Sequence, residues 1–237
     1  KHPELDLSKI EFAQVKEMNL KREYAFTSHI LLFEACPEQY RFFKELEFHP
    51  VRAGAQIFGT LVHQTIEDIH KAVLRNEGHL VSHEQIQNWL NTNYIYLSKK
   101  ERQFLAPNTL KAIERHVVNY FDREKRQLDR LQEAEVEISL VKDQYILKGS
   151  IDLIRGENGT VEIIDFKSER KPDLEKEKTR FETYQRQLQL YAHLLEEKTG
   201  QTVSRMHLYY TGETEGSPYV SFDKRDDQIE HTVKQFD

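Results

Sequence analysis

Apolar residues recur along the first half of the chain at steps of three and four. Phe58, Val62, Ile66, Ile69 and Val73 form one such stripe, which predicts an amphipathic helix from about Thr60 to Arg75. Gly54 to Gly59 reads as a loop before it, and Asn76-Glu77-Gly78 stops it. Ser82 with Gln85 makes a capping box for a second helix carrying Ile86, Trp89, Leu90 and Leu97. Pro107-Asn108 opens a third, predicted to run to about Leu131 with Leu110, Ile113, Val117, Phe121 and Leu128 inside. The period then shortens to two. Glu135 to Leu140 reads as a strand, and Gln144 to Ile154 and Thr160 to Lys167 as a hairpin turning at Asn158-Gly159. A charged loop, Lys171 to Thr179, leads into a helix from about Arg180 to Lys198 with Phe181, Tyr184, Leu188, Tyr191 and Leu195 buried. Val203 to Tyr210 and Tyr219 to Phe222 are two further strands, and the last residues begin a helix.

Near the N-terminus the pattern is weaker. Residues 1–26 read as a lead-in segment. Thr27 or Ser28 is expected to cap a short helix through Phe33, and Pro37 to start another running to Leu46. Helices, then strands, one helix and two strands predict an α/β (α+β) fold: a mixed central sheet flanked by helices, with an additional N-terminal helical layer. A single domain is expected over residues 27–237, mostly helical from 60 to 131, with the sheet and the chemistry between 133 and 222.

Composition narrows the function classes. With 38% hydrophobic and 31% charged residues in 237, the chain is globular, and no apolar run approaches a membrane span. A lone cysteine, Cys36, rules out an intramolecular disulfide and points to a cytoplasmic protein. The start at Lys1 rather than at a methionine is read as that of an excised domain or a processed chain. The net charge of −6 is not that of a stand-alone duplex binder. Basic residues are dense only around Glu169 to Arg186, so a nucleic-acid role needs a local basic track there or a partner domain that delivers the substrate.

The chemistry concentrates on the predicted hairpin. Asp165 and Lys167 share a strand face, with Phe166 on the other, and Asp152 stands on the partner strand after Gly149-Ser150. Two carboxylates suit a hard divalent cation, and an adjacent ammonium suits charge building on a phosphoryl group. As a general base Lys167 would need a lowered pKa. An Asp-x-Lys tripeptide is also common on ordinary exposed hairpins. His63 and Glu67, four apart on the earlier helix, could add an imidazole ligand and a supporting carboxylate, or be a plain surface pair with His70 on the same strip. Gln187 and Tyr191, also four apart, offer an amide and a phenol, or a boundary residue and a core residue. Glu137 could point into the same cleft or into solvent.

Gly149-Ser150-Ile151-Asp152, Ile164-Asp165-Phe166-Lys167-Ser168 and Gln187-Leu188-Gln189-Leu190-Tyr191-Ala192, taken in that order, resemble the motifs of the PD-(D/E)XK nuclease superfamily. More narrowly, they resemble the RecB-type nuclease domain attached to superfamily 1 helicases and helicase-nuclease complexes. Gly59-Thr60-Leu61-Val62-His63 resembles that family's first motif, and the segment from Leu32 to Phe42 with Cys36-Pro37 is similar to the stretch preceding it. The resemblance implies a restriction-endonuclease-like sheet. It implies a metal site of His63, Asp152 and Asp165, and catalytic roles for Asp152, Asp165, Lys167, Gln187 and Tyr191. It implies Mg²⁺- or Mn²⁺-dependent cleavage of DNA, as single strands or ends, leaving a 5′-phosphate and a 3′-hydroxyl. Exonuclease action in DNA repair and recombination beside a helicase domain follows, without a membrane partner. Relatives that hold an iron–sulfur cluster use four cysteines; with Cys36 alone, no cluster is expected within this chain. The alternative is a catalytically inactive nuclease fold that binds DNA or a partner protein. No Gly-rich nucleotide loop and no zinc-ligand spacing occurs.

Overall fold

The strand β3 (Tyr145–Glu157) organises the molecule in the computed structural model, which describes residues 21–48, 53–157 and 159–225. One edge of β3 pairs along most of its length with the antiparallel β2 (Leu131–Val141). The other edge is shared. The short β1 (Arg22–Ala25) runs parallel to its first residues, Tyr145 to Lys148, and the antiparallel β4 (Thr160–Lys167) pairs with its last, Leu153 to Glu157. Neither neighbour pairs with the stretch between, Gly149 to Asp152. A parallel partner needs a crossover, here the helix α6 (Lys178–Thr199), which returns the chain to β5 (Val203–Tyr210) beside β4. The antiparallel β6 (Tyr219–Phe222) closes a sheet of order β1-β3-β4-β5-β6, with β2 beyond β3.

Two apolar cores cover the two faces. Ile138, Leu147, Ile151 and Ile163 pack against Leu188, Tyr191 and Leu195 of α6. On the other face Leu153, Ile164, Phe166 and Tyr209 pack against α3 (Gly54–Leu74), α4 (His83–Glu101) and α5 (Pro107–Glu124). Central-sheet strands buried on both sides are rich in apolar residues, as β4 is in Val161, Ile163, Ile164 and Phe166; its two buried acids, Glu162 and Asp165, are paired with Arg130 and Lys167. The mixed sheet with flanking helices and a helical N-terminal region is the architecture the periodicity predicts. Among the described residues no helix is long and apolar enough to cross a membrane.

Several boundaries differ from expectation. Gly54 to Gly59 is not a loop but the first turns of α3, although glycine costs about 1 kcal/mol in a helix. The Gln56 side chain accepts from Ala53 N at 3.1 Å, capping the helix, and buried Ile57 anchors it. Helix α5 stops at Glu124, and a 3₁₀ turn, Leu128–Arg130, leads directly into β2, tied down by Arg130 bonds to Gly156 O and Glu162. Thr27 and Ser28 cap nothing. Phe26–Ile30 forms a π-type turn, and His29 Nδ1 accepts the Ala25 amide at 3.1 Å. It leads into α1 (Leu31–Ala35) and, past Cys36, α2 (Pro37–Tyr40), which ends in a second π-type turn, Arg41–Glu45. Within the expected lead-in, β1 is part of the sheet. The turn residue Asn158 and the expected terminal helix lie outside the described residues.

Gly149 shows how tightly α6 seats on the sheet. A Cβ there would lie 2.6 Å from Tyr191 Cε1, 2.8 Å from Cδ1 and 3.3 Å from Ile138 Cγ1. The expected cost of Gly149→Ala is about 1–3 kcal/mol of overpacking, read as a lower urea midpoint with unchanged slope. A midpoint equal to wild type would show that the ring can move aside.

Candidate metal centre

The β3–β4 ladder ends at Leu153–Ile164. By that register the next facing residues are Asp152 and Asp165, where the strands part. Asp152 occupies the opening: its Oδ2 accepts the Phe166 amide at 2.7 Å, satisfying a backbone donor the ladder no longer pairs. Past this point the alternation of β4 places Phe166 on the α3 face, edge-on to His63, with Asp165 and Lys167 toward α6.

His63 arrives from α3. Gly59, one turn earlier on the same helix face, has its missing Cβ 3.0 Å from Ser168 Oγ, so the helix passes close to the end of β4. His63 Nδ1 lies 3.5 Å from Asp152 Oδ2. Glu135 of β2 completes the group. It lies across from Asp152, between the pairs Ala134–Leu153 and Val136–Ile151, with a left-handed φ of 51°. Ligand atoms of His63, Glu135 and Asp152 all lie within 4.8 Å of one another. Two carboxylates and an imidazole converging in this way fit a divalent cation that prefers oxygen ligands.

The electrostatics point the same way. Burial pushes the Asp152 carboxyl up to about 6, with Asp165 adding to the rise and His63 opposing it. Burial pushes Glu135 up to about 8, helped by Asp152 and Glu67. Crowding carboxyls out of water raises their affinity for protons, and a cation would compete for the same oxygens. Lys167 behaves oppositely: burial pulls its ammonium down, but Asp165 outweighs it, so the pKa ends above the ordinary value. Its Nζ is 2.7 Å from Asp165 Oδ2.

Asp165 is held from behind. Gln187 Nε2 donates to its Oδ1 at 3.3 Å. Tyr191 is buried against the bare backbone of Gly149, and burial raises its phenol to about 12. Neither side chain lines the cleft, a cavity of about 720 Å³ whose walls include His63, Asp152, Asp165, Lys167, Glu169, Arg180 and Tyr184. A second cavity, about 440 Å³, adjoins it through His63 and includes Glu67 and Glu135. Glu67 is bound to Lys71 at 2.6 Å.

The carboxylate missed by sequence reasoning is Glu135. Glu137, singled out instead, is exposed two residues further along β2, and only its carbonyl is engaged, by Lys198. No residue-type signal marked it: the register of β2 on β3 sets residue 135 opposite Asp152. His70, placed on the His63 strip, is fully buried and bonded to Tyr120 at 2.6 Å. Cys36 is half-buried. Four of the six basic residues from Glu169 to Arg186 are in ion pairs, Lys171 donates to Ser217 O, and Arg170 is exposed. Lys176 pairs with Asp173, Lys178 with Glu182, Arg180 with Glu169 and Glu177, and Arg186 with Glu34.

Comparison with known proteins agrees with this geometry. The family described as the PD-(D/E)XK nuclease superfamily matches residues 27–236. No curated protein matches the sequence. Among solved structures, a protein of Eubacterium rectale assigned as an exonuclease is 12% identical with a TM-score of 0.51, over 84% of this chain and 70% of that one. The structure of SSO0001 is 17% identical with a TM-score of 0.35, over 63% and 67%. At 12% identity the likeness to the Eubacterium rectale protein concerns the fold alone.

Proposed function

The chain belongs to the PD-(D/E)XK nuclease superfamily, and from that premise we propose that it hydrolyses DNA phosphodiester bonds with Mg²⁺ or Mn²⁺. His63, Glu135 and Asp152 would hold the cation, with Asp165 beside them. When bound, the ion supplies Lewis acidity toward a phosphate oxygen and lowers the pKa of a coordinated water. Lys167 stays protonated, because Asp165 holds its pKa above the ordinary value. It therefore serves as a fixed charge beside the phosphate rather than as a general base. Gln187 fixes the Asp165 carboxylate, and Tyr191 fixes Gln187 through the seating of α6 on Gly149.

The narrower proposal is a RecB-type exonuclease domain acting on single strands or ends, leaving 5′-phosphate and 3′-hydroxyl, in cytoplasmic DNA repair and recombination. It rests on the order of the motifs around His63, Asp152, Asp165-Lys167 and Gln187-Tyr191. The ion pairs that occupy Arg180 and Arg186 support a linked helicase domain that supplies the grip on DNA, with residues 27–237 forming the nuclease unit.

The observation that carries the proposal is the convergence of three ligating side chains beside the Asp165–Lys167 pair. Cleavage of 5′- and 3′-labelled single strands and duplexes, with Mg²⁺, Mn²⁺ or EDTA, tests it. Wild type should cut only with metal, and Asp152→Asn should lose at least about a hundredfold. DNA binding without cleavage in either metal would identify an inactive module instead.

A further inference from the structure

One face of α6 governs the site. Tyr184, Gln187 and Tyr191 fall at steps of three and four, so they share a side of the helix. Tyr191 meets Gly149, Gln187 meets Asp165, and Tyr184 meets Lys167. The Lys167 ammonium stands 4.0 Å from the Tyr184 ring centroid and 2.7 Å from Asp165 Oδ2, its ion-pair partner. The hydroxyl at the other end of the side chain is bonded separately. Arg180 Nε donates to the Tyr184 hydroxyl at 3.0 Å, and the same guanidinium is anchored to Glu177 at 3.0 Å and to Glu169, two residues after Lys167. Arg180, with both terminal nitrogens on carboxylates, is committed to this scaffold rather than left open for a phosphate.

We propose that Tyr184 is a positioning residue that clamps the Lys167 ammonium between its ring face and Asp165. The proposal deepens the nuclease reading and rests on it for the catalytic consequence, though the clamp is a physical contact measurable without turnover. A lysine carries long-chain rotamer freedom; a ring face and a carboxylate on opposite duties confine it to one position. The ring face does the holding, so phenylalanine should substitute for tyrosine and leucine should not.

The test uses protein carrying ¹³C at lysine Cε. The Lys167 signal is assigned by its disappearance in Lys167→Arg. In wild type it should be displaced upfield by the ring current. The displacement should persist in Tyr184→Phe and vanish in Tyr184→Leu. Cleavage should follow: kcat about tenfold lower in Tyr184→Leu, within about twofold of wild type in Tyr184→Phe, and KM for DNA unchanged in both. A wild-type Lys167 signal among those of exposed lysines overturns the clamp without recourse to any variant. So does a fall in Tyr184→Phe as large as that in Tyr184→Leu, which would assign the effect to the hydroxyl. A displaced signal in a protein that cuts no DNA upholds the clamp and rejects the nuclease function.

Discussion

Lys167→Ala is expected to lower kcat for strand cleavage by about 10²–10³-fold, the loss typical of removing a preorganised charge donor from a developing anion. KM for DNA should change little, because one buried ammonium at the foot of the cleft contributes little to binding a long polyanion. Lys167 is only 17% exposed, and its charge is offset by Asp165 before substrate arrives. Loss of the ammonium should not cost the cation. Glu135, Asp152 and Asp165 would then lack their nearby positive charge, so Mn²⁺ affinity measured by calorimetry should hold or rise. That separates a catalytic role from a ligand-organising one: a structural lysine would lose metal and activity together. Arginine should rescue poorly, since a planar guanidinium cannot take the place of a compact ammonium between the Tyr184 ring and Asp165. Wild-type turnover in Lys167→Ala would remove Lys167 from the site, and with it the reason for reading the β4 terminus as chemistry.

What the chain spells out locally was legible; what depends on how strands part was not. Asp165, Phe166 and Lys167 alternate as any strand must, and the faces they take follow from that alone. The stripes of α3 and α6 are likewise set by helical period. Glu135 is different. Its role follows from the register of β2 on β3 and from a backbone angle few non-glycine residues adopt, and neither is written in residue type. Alternation by itself puts Glu135 and Glu137 on one face and does not say which meets Asp152. Gly54 and Gly59 misled for a related reason: glycine reads as a helix breaker, yet Gly59 is where α3 must approach Ser168. His70 looked like a surface partner of His63, but that side of α3 turns under Tyr120 and Phe166. Tyr184 read as core, and a stripe residue at the rim of a helix cannot be told from a clamp until the strand end beside it is placed.

The stabilisation gained from Mn²⁺ should grow steeply with pH, and Glu135 should account for most of the growth above neutrality. Burial first, then Asp152, raises its carboxyl from 4.5 to about 8 in the fold. A raised acid binds its proton more tightly folded than unfolded. Its contribution is therefore full below the unfolded pKa and is lost as pH rises through the folded one. Asp152, raised from 3.8 to about 6, loses its share earlier, where the histidines also titrate. Burial lowers His70, His116, His193 and His207, so their effect has the opposite sign and is complete by about pH 7. Between about pH 7 and 8.5 Glu135 is left as the main term. Without metal, wild type should lose stability across that window. Discounted for the partial exposure of the group, the loss is roughly 0.5–1 kcal/mol, or about one to four degrees of Tm for a chain of this size. Millimolar Mn²⁺ replaces the departing proton, so the Tm difference between Mn²⁺ and EDTA should widen over the same window. Glu135→Gln should be more stable than wild type in EDTA at about pH 8.5, and its Mn²⁺ increment should be smaller and nearly flat with pH. Equal increments in the two proteins at both pH values would exclude Glu135 as a ligand and return the third position to Asp165.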